Sequence, residues 1–162
     1  MLRPTLRQQL DLAWSLADRY HLPAVTEENA FWAPSRNACT VLPEGTVQMP
    51  DETATPIATP TVAWLLWHIT WWWTNAHRWA DGKTPVPWDE HPWAGSAEAA
   101  VAQVRALHAA WVARLDSADL EAPVSGPWSD DATFARLAGW LNLELMKNVA
   151  EIGQLVGLHE NR

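Results

Sequence analysis

The sequence predicts an all-α fold, a four-helix bundle with long crossover loops. Two observations predict it: four segments repeat apolar residues every three or four positions, and proline-rich connections separate these segments. No stretch alternates apolar and polar residues as a half-buried strand does, so we expect no sheet. The length suits one hydrophobic core and there is no internal repeat, so residues 1–162 are expected to form a single domain.

The first helix is predicted over residues 5–20. Its apolar stripe consists of Leu6, Leu10, Trp14 or Ala13, Ala17 and Tyr20. A proline-rich loop over residues 21–59 follows, with a short helical turn expected near Glu27. A loop of this length in a compact domain usually covers a site or bridges distant helix ends.

The second helix is predicted to begin at Thr59 and Pro60 and to end near residue 80. A threonine can cap free backbone N–H groups, and proline suits the first helical position, where no N–H is needed. The pair Asp81-Gly82 then ends the helix. One face of this helix carries Thr61, Trp64, His68, Trp71 and Asn75.

The third and fourth helices are predicted from the same spacing of apolar residues. The third opens at Ser96 and ends near Asp116, with the stripe Val101, Val104, His108, Trp111 and Leu115. The fourth opens after Ser129 and continues to about Leu158, with the stripe Phe134, Leu137, Leu141, Leu145, Asn148, Ile152 and Leu155. Such stripes are typical of helices that pack at small crossing angles.

Composition and charge exclude several classes of protein. Eleven Lys and Arg residues are dispersed in a chain of net charge −8, so we expect no nucleic-acid partner. The longest apolar stretch, residues 62–73, contains His68 and is too short to span a membrane. Charged residues interrupt the first twelve positions, which lack the apolar core of a signal peptide. The lone Cys39 excludes an internal disulfide, so we expect a cytoplasmic protein.

The tryptophan content is unusual, with thirteen Trp against one Tyr and two Phe. The consecutive residues Trp71, Trp72 and Trp73 sweep about 200° around a helix, wider than the apolar stripe of about 100° that a surface helix buries. At least one of the three must therefore leave the core. We expect the long first loop or a homodimer partner to cover it, in preference to a planar small-molecule ligand.

A polar cluster is predicted between the second and fourth helices. Glu144, Asn148 and Glu151 share one face of the fourth helix, and Lys147 is close enough to pair with either glutamate. His68 joins them if the two helices lie side by side. In one interpretation His68 and Glu144 are metal ligands or an acid/base pair that Asn148 completes. In the other, His68 is a core histidine bonded to Glu144, while Lys147 pairs with Glu151 at the rim.

Three other residues are weaker candidates for chemistry. His108 lies on an apolar stripe without an acidic neighbour, so a structural role is favoured. His77 lies about half a turn from His68 and is expected to face outward. Cys39 lies in a loop with Arg36 as its basic neighbour, which favours a structural thiol over a nucleophile.

Three motifs together resemble the DinB/YfiT-like superfamily, especially its actinobacterial DinB-like members. They are "TVAWLLWHI" in the second helix, "WAGSAEAA" at the start of the third and "NLELMKNVAEIGQL" in the fourth. The resemblance implies a four-helix bundle with long crossovers that is typically dimeric. It also implies a divalent-metal site made by one helix-two His and two side chains four apart on the last helix.

By position, the resemblance assigns the metal site to His68, Glu144 and Asn148, with Lys147 and Glu151 around it. It implies Zn, Ni or Mn as the ion and a low-molecular-weight thiol as co-substrate of an S-transferase or hydrolase. The family's last-helix pair usually contains at least one His, whereas an amide oxygen is a weak neutral ligand. The site is thus degenerate and would hold a metal weakly. The alternative is a metal-free binding or structural bundle without catalytic activity.

Overall fold

Four long helices form the bundle, which confirms the predicted fold class. The computed structural model describes residues 1–128 and 132–162. The long helices are α1 (Leu2–Leu16), α3 (Val62–Ala80), α4 (Ala97–Ser117) and α5 (Phe134–Glu160), and the first connection contains a short helix, α2 (Glu27–Ala30), as predicted near Glu27. Helix α3 packs against both α4 and α5, and α1 packs against α5, so α3 and α5 form the central pair.

The first helix starts earlier than predicted and ends in a different geometry. It begins at Leu2, since Pro4 falls in the first turn, where its missing N–H removes no intrahelical bond. A π-helical turn, Ala17–His21, follows, and then a 3₁₀ turn, Leu22–Ala24. Because a π turn holds an extra residue, it rotates the following side chains, and Tyr20 is 58% exposed rather than in the core.

The predicted start of the second long helix was wrong by two residues. Thr61, not Thr59, caps α3: its hydroxyl accepts a hydrogen bond from the backbone N–H of Trp64 at 3.2 Å. Thr59 and Pro60 instead form a short strand, β2 (Thr59–Pro60), which pairs in parallel with β1 (Ala38–Cys39). Proline is tolerated there because the neighbouring residues donate the pairing N–H groups, Thr59 to Asn37 and Thr61 to Cys39.

The expectation of no strands was also wrong. Besides β1 and β2, strand β3 (Pro123–Val124) pairs antiparallel with β4 (Ala132–Thr133). Each strand has two residues, which is too short for an alternating pattern to show in the sequence. These two strand pairs join loop segments to one another and add no layer to the bundle.

The starts of the last two helices follow from their caps. Ser96 caps α4 by accepting from the N–H of Ala99 at 3.1 Å, as predicted. Thr133 caps α5, so the helix begins at Phe134, later than the start predicted after Ser129. Ser129 itself lies outside the described residues. Helix α5 reaches Glu160, two residues beyond its predicted end.

The predicted stripes contribute to the core together with many buried residues outside them. Every residue of the α5 stripe is buried, and the α4 stripe is buried except for the half-buried His108. Trp67, Trp73 and Trp111 are at most 1% exposed. Among the helices of the described chain, none combines the length and apolarity needed to cross a lipid bilayer.

Intramolecular contacts cover the Trp71–Trp72–Trp73 run. Trp73 is in the core, and the ring of Trp72 packs edge-on against Trp140 of α5 at a centroid distance of 4.8 Å. The indole N–H of Trp71 donates to the carbonyl of Val86 at 2.9 Å. Helix α5 and the connection after α3 therefore contact this run, whereas the long first loop or a homodimer partner was expected to cover it.

Candidate functional site

The packing of α3 on α5 brings His68 and Glu144 together. The Nε2 atom of His68 lies 3.8 Å from Oε2 of Glu144. The imidazole is buried and stacks on Trp64, one turn earlier on α3, with ring centroids 4.6 Å apart. An imidazole and a carboxylate distant in sequence thus meet inside the bundle, while their assignment as metal ligands stays a prediction.

Trp72 fixes the protonation state of His68. Its indole N–H donates to Nε2 of His68 at 2.7 Å, and an indole nitrogen can only donate. Nε2 is therefore an acceptor and the neutral ring carries its proton on Nδ1, which is buried and has no hydrogen-bond partner among the described residues. Burial lowers the pKa of His68, and the nearby Lys147 charge lowers it further, although Glu144 opposes both effects.

Lys147 forms an ion pair with Glu144 and not with Glu151. Its ammonium lies 2.8 Å from Oε2 of Glu144, the same oxygen that faces His68. In the structural interpretation, Lys147 pairs with Glu151 and His68 is hydrogen-bonded to Glu144. Both points are wrong. Lys147 pairs with Glu144 instead, and the 3.8 Å between His68 and Glu144 exceeds hydrogen-bond length. The neighbouring His68 and the Lys147 ammonium lower the pKa of Glu144 against the opposing effect of burial.

Asn148 and Glu151 remain outside this pairing. Asn148 is 1% exposed, and its Oδ1 atom has no hydrogen-bond partner in the described chain. Glu151 is half-buried and makes no hydrogen bond or ion pair with any described residue. Burial raises the pKa of its carboxyl group, against the influence of Lys147. The cluster therefore consists of Trp72, His68, Glu144 and Lys147, with Asn148 and Glu151 further along α5.

Two other histidines pack against tryptophan rings. His108 stacks on Trp14 with centroids 3.7 Å apart, and burial lowers its pKa to about 4. His77 does not face outward as predicted: its Nδ1 accepts from Arg114 at 3.1 Å and its ring packs on Trp111. The reason is that α3 lies between α4 and α5, so its second face is also covered.

Cys39 is not an activated nucleophile. The side chain is buried in the core, and this burial raises the pKa of its thiol to about 11. A thiol with this pKa stays protonated near neutral pH, whereas the thiolate is the reactive form.

The placed side chains do not fit a divalent metal ion. Zinc ligands at bond lengths of 2.0–2.2 Å lie about 3.4 Å apart, close to the His68–Glu144 spacing. The lone pair of Nε2, however, accepts the Trp72 N–H, and the facing oxygen of Glu144 is paired with Lys147. Two hydrogen-bond donors of the protein thus hold the positions that a cation would need. Within residues 1–128 and 132–162, no three His, Cys, Asp or Glu side chains form a metal-binding group.

Trp72 is the member of the cluster that the sequence reasoning missed. Its spacing of four residues from His68 places both on one side of α3 and could have identified it. The sequence alone does not show which group accepts a given indole N–H, so the bond from Trp72 to His68 was not predicted.

Comparison of the sequence with known protein families shows to which family the chain belongs. The family model of the DinB superfamily matches residues 9–152, most of the chain. The chain belongs to the DinB superfamily. DinB membership agrees with the helical bundle and with the resemblance found in the three motifs. No curated protein and no solved structure matches the chain.

Proposed function

We propose that this DinB protein is a metal-independent bundle that binds a small molecule. One observation carries the metal independence in this proposal: both atoms that would hold the metal already accept hydrogen bonds from the protein itself, Nε2 of His68 from Trp72 and Oε2 of Glu144 from Lys147. A metal would have to displace an indole and an ammonium group from a largely buried site. The cluster instead joins α3 to α5 and fixes their relative position.

Metal titration of the intact protein, purified without chelator or affinity tag, tests this proposal. We expect the wild-type protein to take up Zn, Ni or Mn substoichiometrically, with no change on His68→Ala. Asn148→His supplies a second imidazole and should raise metal affinity by about tenfold or more, which corresponds to about 1.4 kcal/mol. Ala150→His, at an exposed position of the same helix, is the matched control and should bind no better than the wild type.

A metal-dependent enzyme, of thiol S-transferase or hydrolase type, is the second candidate. The meeting of His68 and Glu144 and the unpartnered Oδ1 of the buried Asn148 favour it. Stoichiometric metal in the wild type that is lost in His68→Ala would support this candidate and overturn the first. The homodimer and the cytoplasmic location that the sequence suggests stay predictions.

A further inference from the structure

A groove beside the C-terminal half of α5 contains the carboxylate of Glu151, which pairs with no described residue. Its volume is about 350 Å³, at the lower end of the range for small-molecule pockets. The lining residues are Pro34, Thr59, Pro60, Glu151, Gln154, Leu155 and Leu158. The proline-rich first connection forms one wall and α5 forms the other.

Glu151 is the ionisable group of this lining. It is half-buried, and no described side chain bonds to it or pairs with it. The neighbouring ammonium of Lys147 is paired with Glu144 instead. Partial removal of a carboxylate from water is unfavourable unless a partner compensates for it, and burial accordingly raises the pKa of Glu151. Among the described residues, none therefore pairs a positive charge with Glu151 in this groove.

The rest of the lining is mainly apolar. Leu155 is buried and Leu158 is 50% exposed, so leucine side chains extend from the interior to the mouth of the groove. Pro34 and Pro60 face them, and the cyclic side chains of proline offer apolar contact without rotamer entropy to lose. An occupant with an apolar body would bury surface against these four residues.

We propose that this groove binds a small organic cation, an ammonium group on a compact apolar body. The ammonium pairs with the carboxylate of Glu151, and the apolar body lies between the prolines and the leucines. The amide of Gln154 and the hydroxyl of Thr59 add hydrogen-bonding groups at the wall. This inference rests on the proposed function, since it names the ligand class of a metal-independent binding protein.

Three alkyl probes of equal length test the charge requirement: n-hexylammonium, n-hexanol and n-hexanoate. Each is titrated into the full-length ¹⁵N-labelled protein, and backbone amide shifts are followed. We expect hexylammonium to shift the amides around residues 151–158 and to bind about tenfold more tightly than hexanol, a difference of about 1.4 kcal/mol. Hexanoate should bind most weakly. Equal affinity for all three probes, or shifts confined to other regions, overturns the proposal.

Substitution of the Glu151 carboxylate provides a second test of the proposal. Glu151→Gln should reduce the hexylammonium affinity to the level of hexanol and leave hexanol unaffected. Glu160→Gln, an exposed carboxylate of the same helix outside the groove lining, is the control and should leave all affinities unchanged. Unchanged hexylammonium binding in Glu151→Gln overturns the proposal. Because loss of an unpartnered carboxylate removes no contact, this variant should fold with a Tm at least equal to that of the wild type.

Failure of the groove and failure of the proposed function give different results. A protein that binds neither metal nor hexylammonium disproves the cation site but not metal independence. A protein that binds stoichiometric metal through His68 and also binds hexylammonium through Glu151 disproves metal independence and retains the cation site.

Discussion

The bond from Trp72 to His68 determines what the polar cluster can do. A neutral imidazole that accepts from an indole is neither a free base nor an available ligand. The sequence predicted that His68 points inward and that Glu144 and Lys147 are within reach of each other. It could not predict which partner each side chain would choose, because spacing left Lys147 equally close to Glu144 and Glu151. The positions of the side chains in the folded bundle determine that Lys147 pairs with Glu144.

Removal of the indole donor should destabilise the protein through His68. Trp72→Phe keeps an aromatic ring against Trp140 but leaves Nε2 of His68 without its donor, and we expect the bond's loss to cost about 1–2 kcal/mol of unfolding free energy. The smaller ring also loses packing against Trp79 and Trp140. A double-mutant cycle with His68→Phe, measured by urea unfolding, separates the two effects.

A coupling energy near zero in that cycle would show that the Trp72–His68 bond contributes nothing to stability. Trp88→Phe serves as the control, since Trp88 is 41% exposed and makes no hydrogen bond through its side chain in the described chain. Its coupling to His68→Phe should be negligible.

At the level of elements, apolar periodicity predicted the helices well and their ends less well. The stripes of α4 and α5 identified the buried faces because each helix has a covered side and an exposed side. For α3 the same pattern was less informative, because residues 62–70 are buried all around the helix. His77 lies beyond this stretch, on a face of α3 that α4 covers. The cap of α3 was misplaced because Thr59 and Thr61 are equally suitable cap residues, and the strand pairing of Thr59 decided between them.

Substitution of the two threonines tests the corrected start of α3. Thr61→Ala removes the cap of the Trp64 N–H and a contact with the hydroxyl of Thr40 at 3.0 Å. We expect it to lower the unfolding free energy by about 1–2 kcal/mol. Thr59→Ala is the matched control and should cost less than about 0.5 kcal/mol, because it removes no cap. Equal losses in thermal or urea unfolding would contradict this assignment.

For the whole molecule, buried neutral histidines should make stability depend on pH. Burial lowers the pKa of His68, His77, His91 and His108, and for His108 to about 4. The unfolded chain titrates near the ordinary histidine value of about 6.5, so it binds more protons than the folded chain below that pH. Stability is therefore complete above about pH 6.5 and should fall as the pH decreases towards about 4.

The midpoint of urea unfolding, measured at several pH values from about 7.5 to about 4.5, checks this prediction. The range begins roughly one unit above the ordinary histidine pKa. His108→Phe keeps a ring against Trp14 and removes one titrating group, so its stability should decrease less steeply with falling pH than that of the wild type. An identical slope for both proteins would mean that His108 titrates alike in the folded and unfolded chain.

Three indole N–H groups of α3 connect the bundle to its loops through backbone atoms. Trp64 donates to the carbonyl of Gln48, Trp67 to that of His91, and Trp71 to that of Val86. Every amino acid supplies such a carbonyl, so replacing the side chain of the exposed Gln48 or the partly exposed Val86 leaves the acceptor in place. An inserted or deleted residue would instead move the carbonyl away from its indole. These loops should thus tolerate changes of amino-acid identity far better than changes of length.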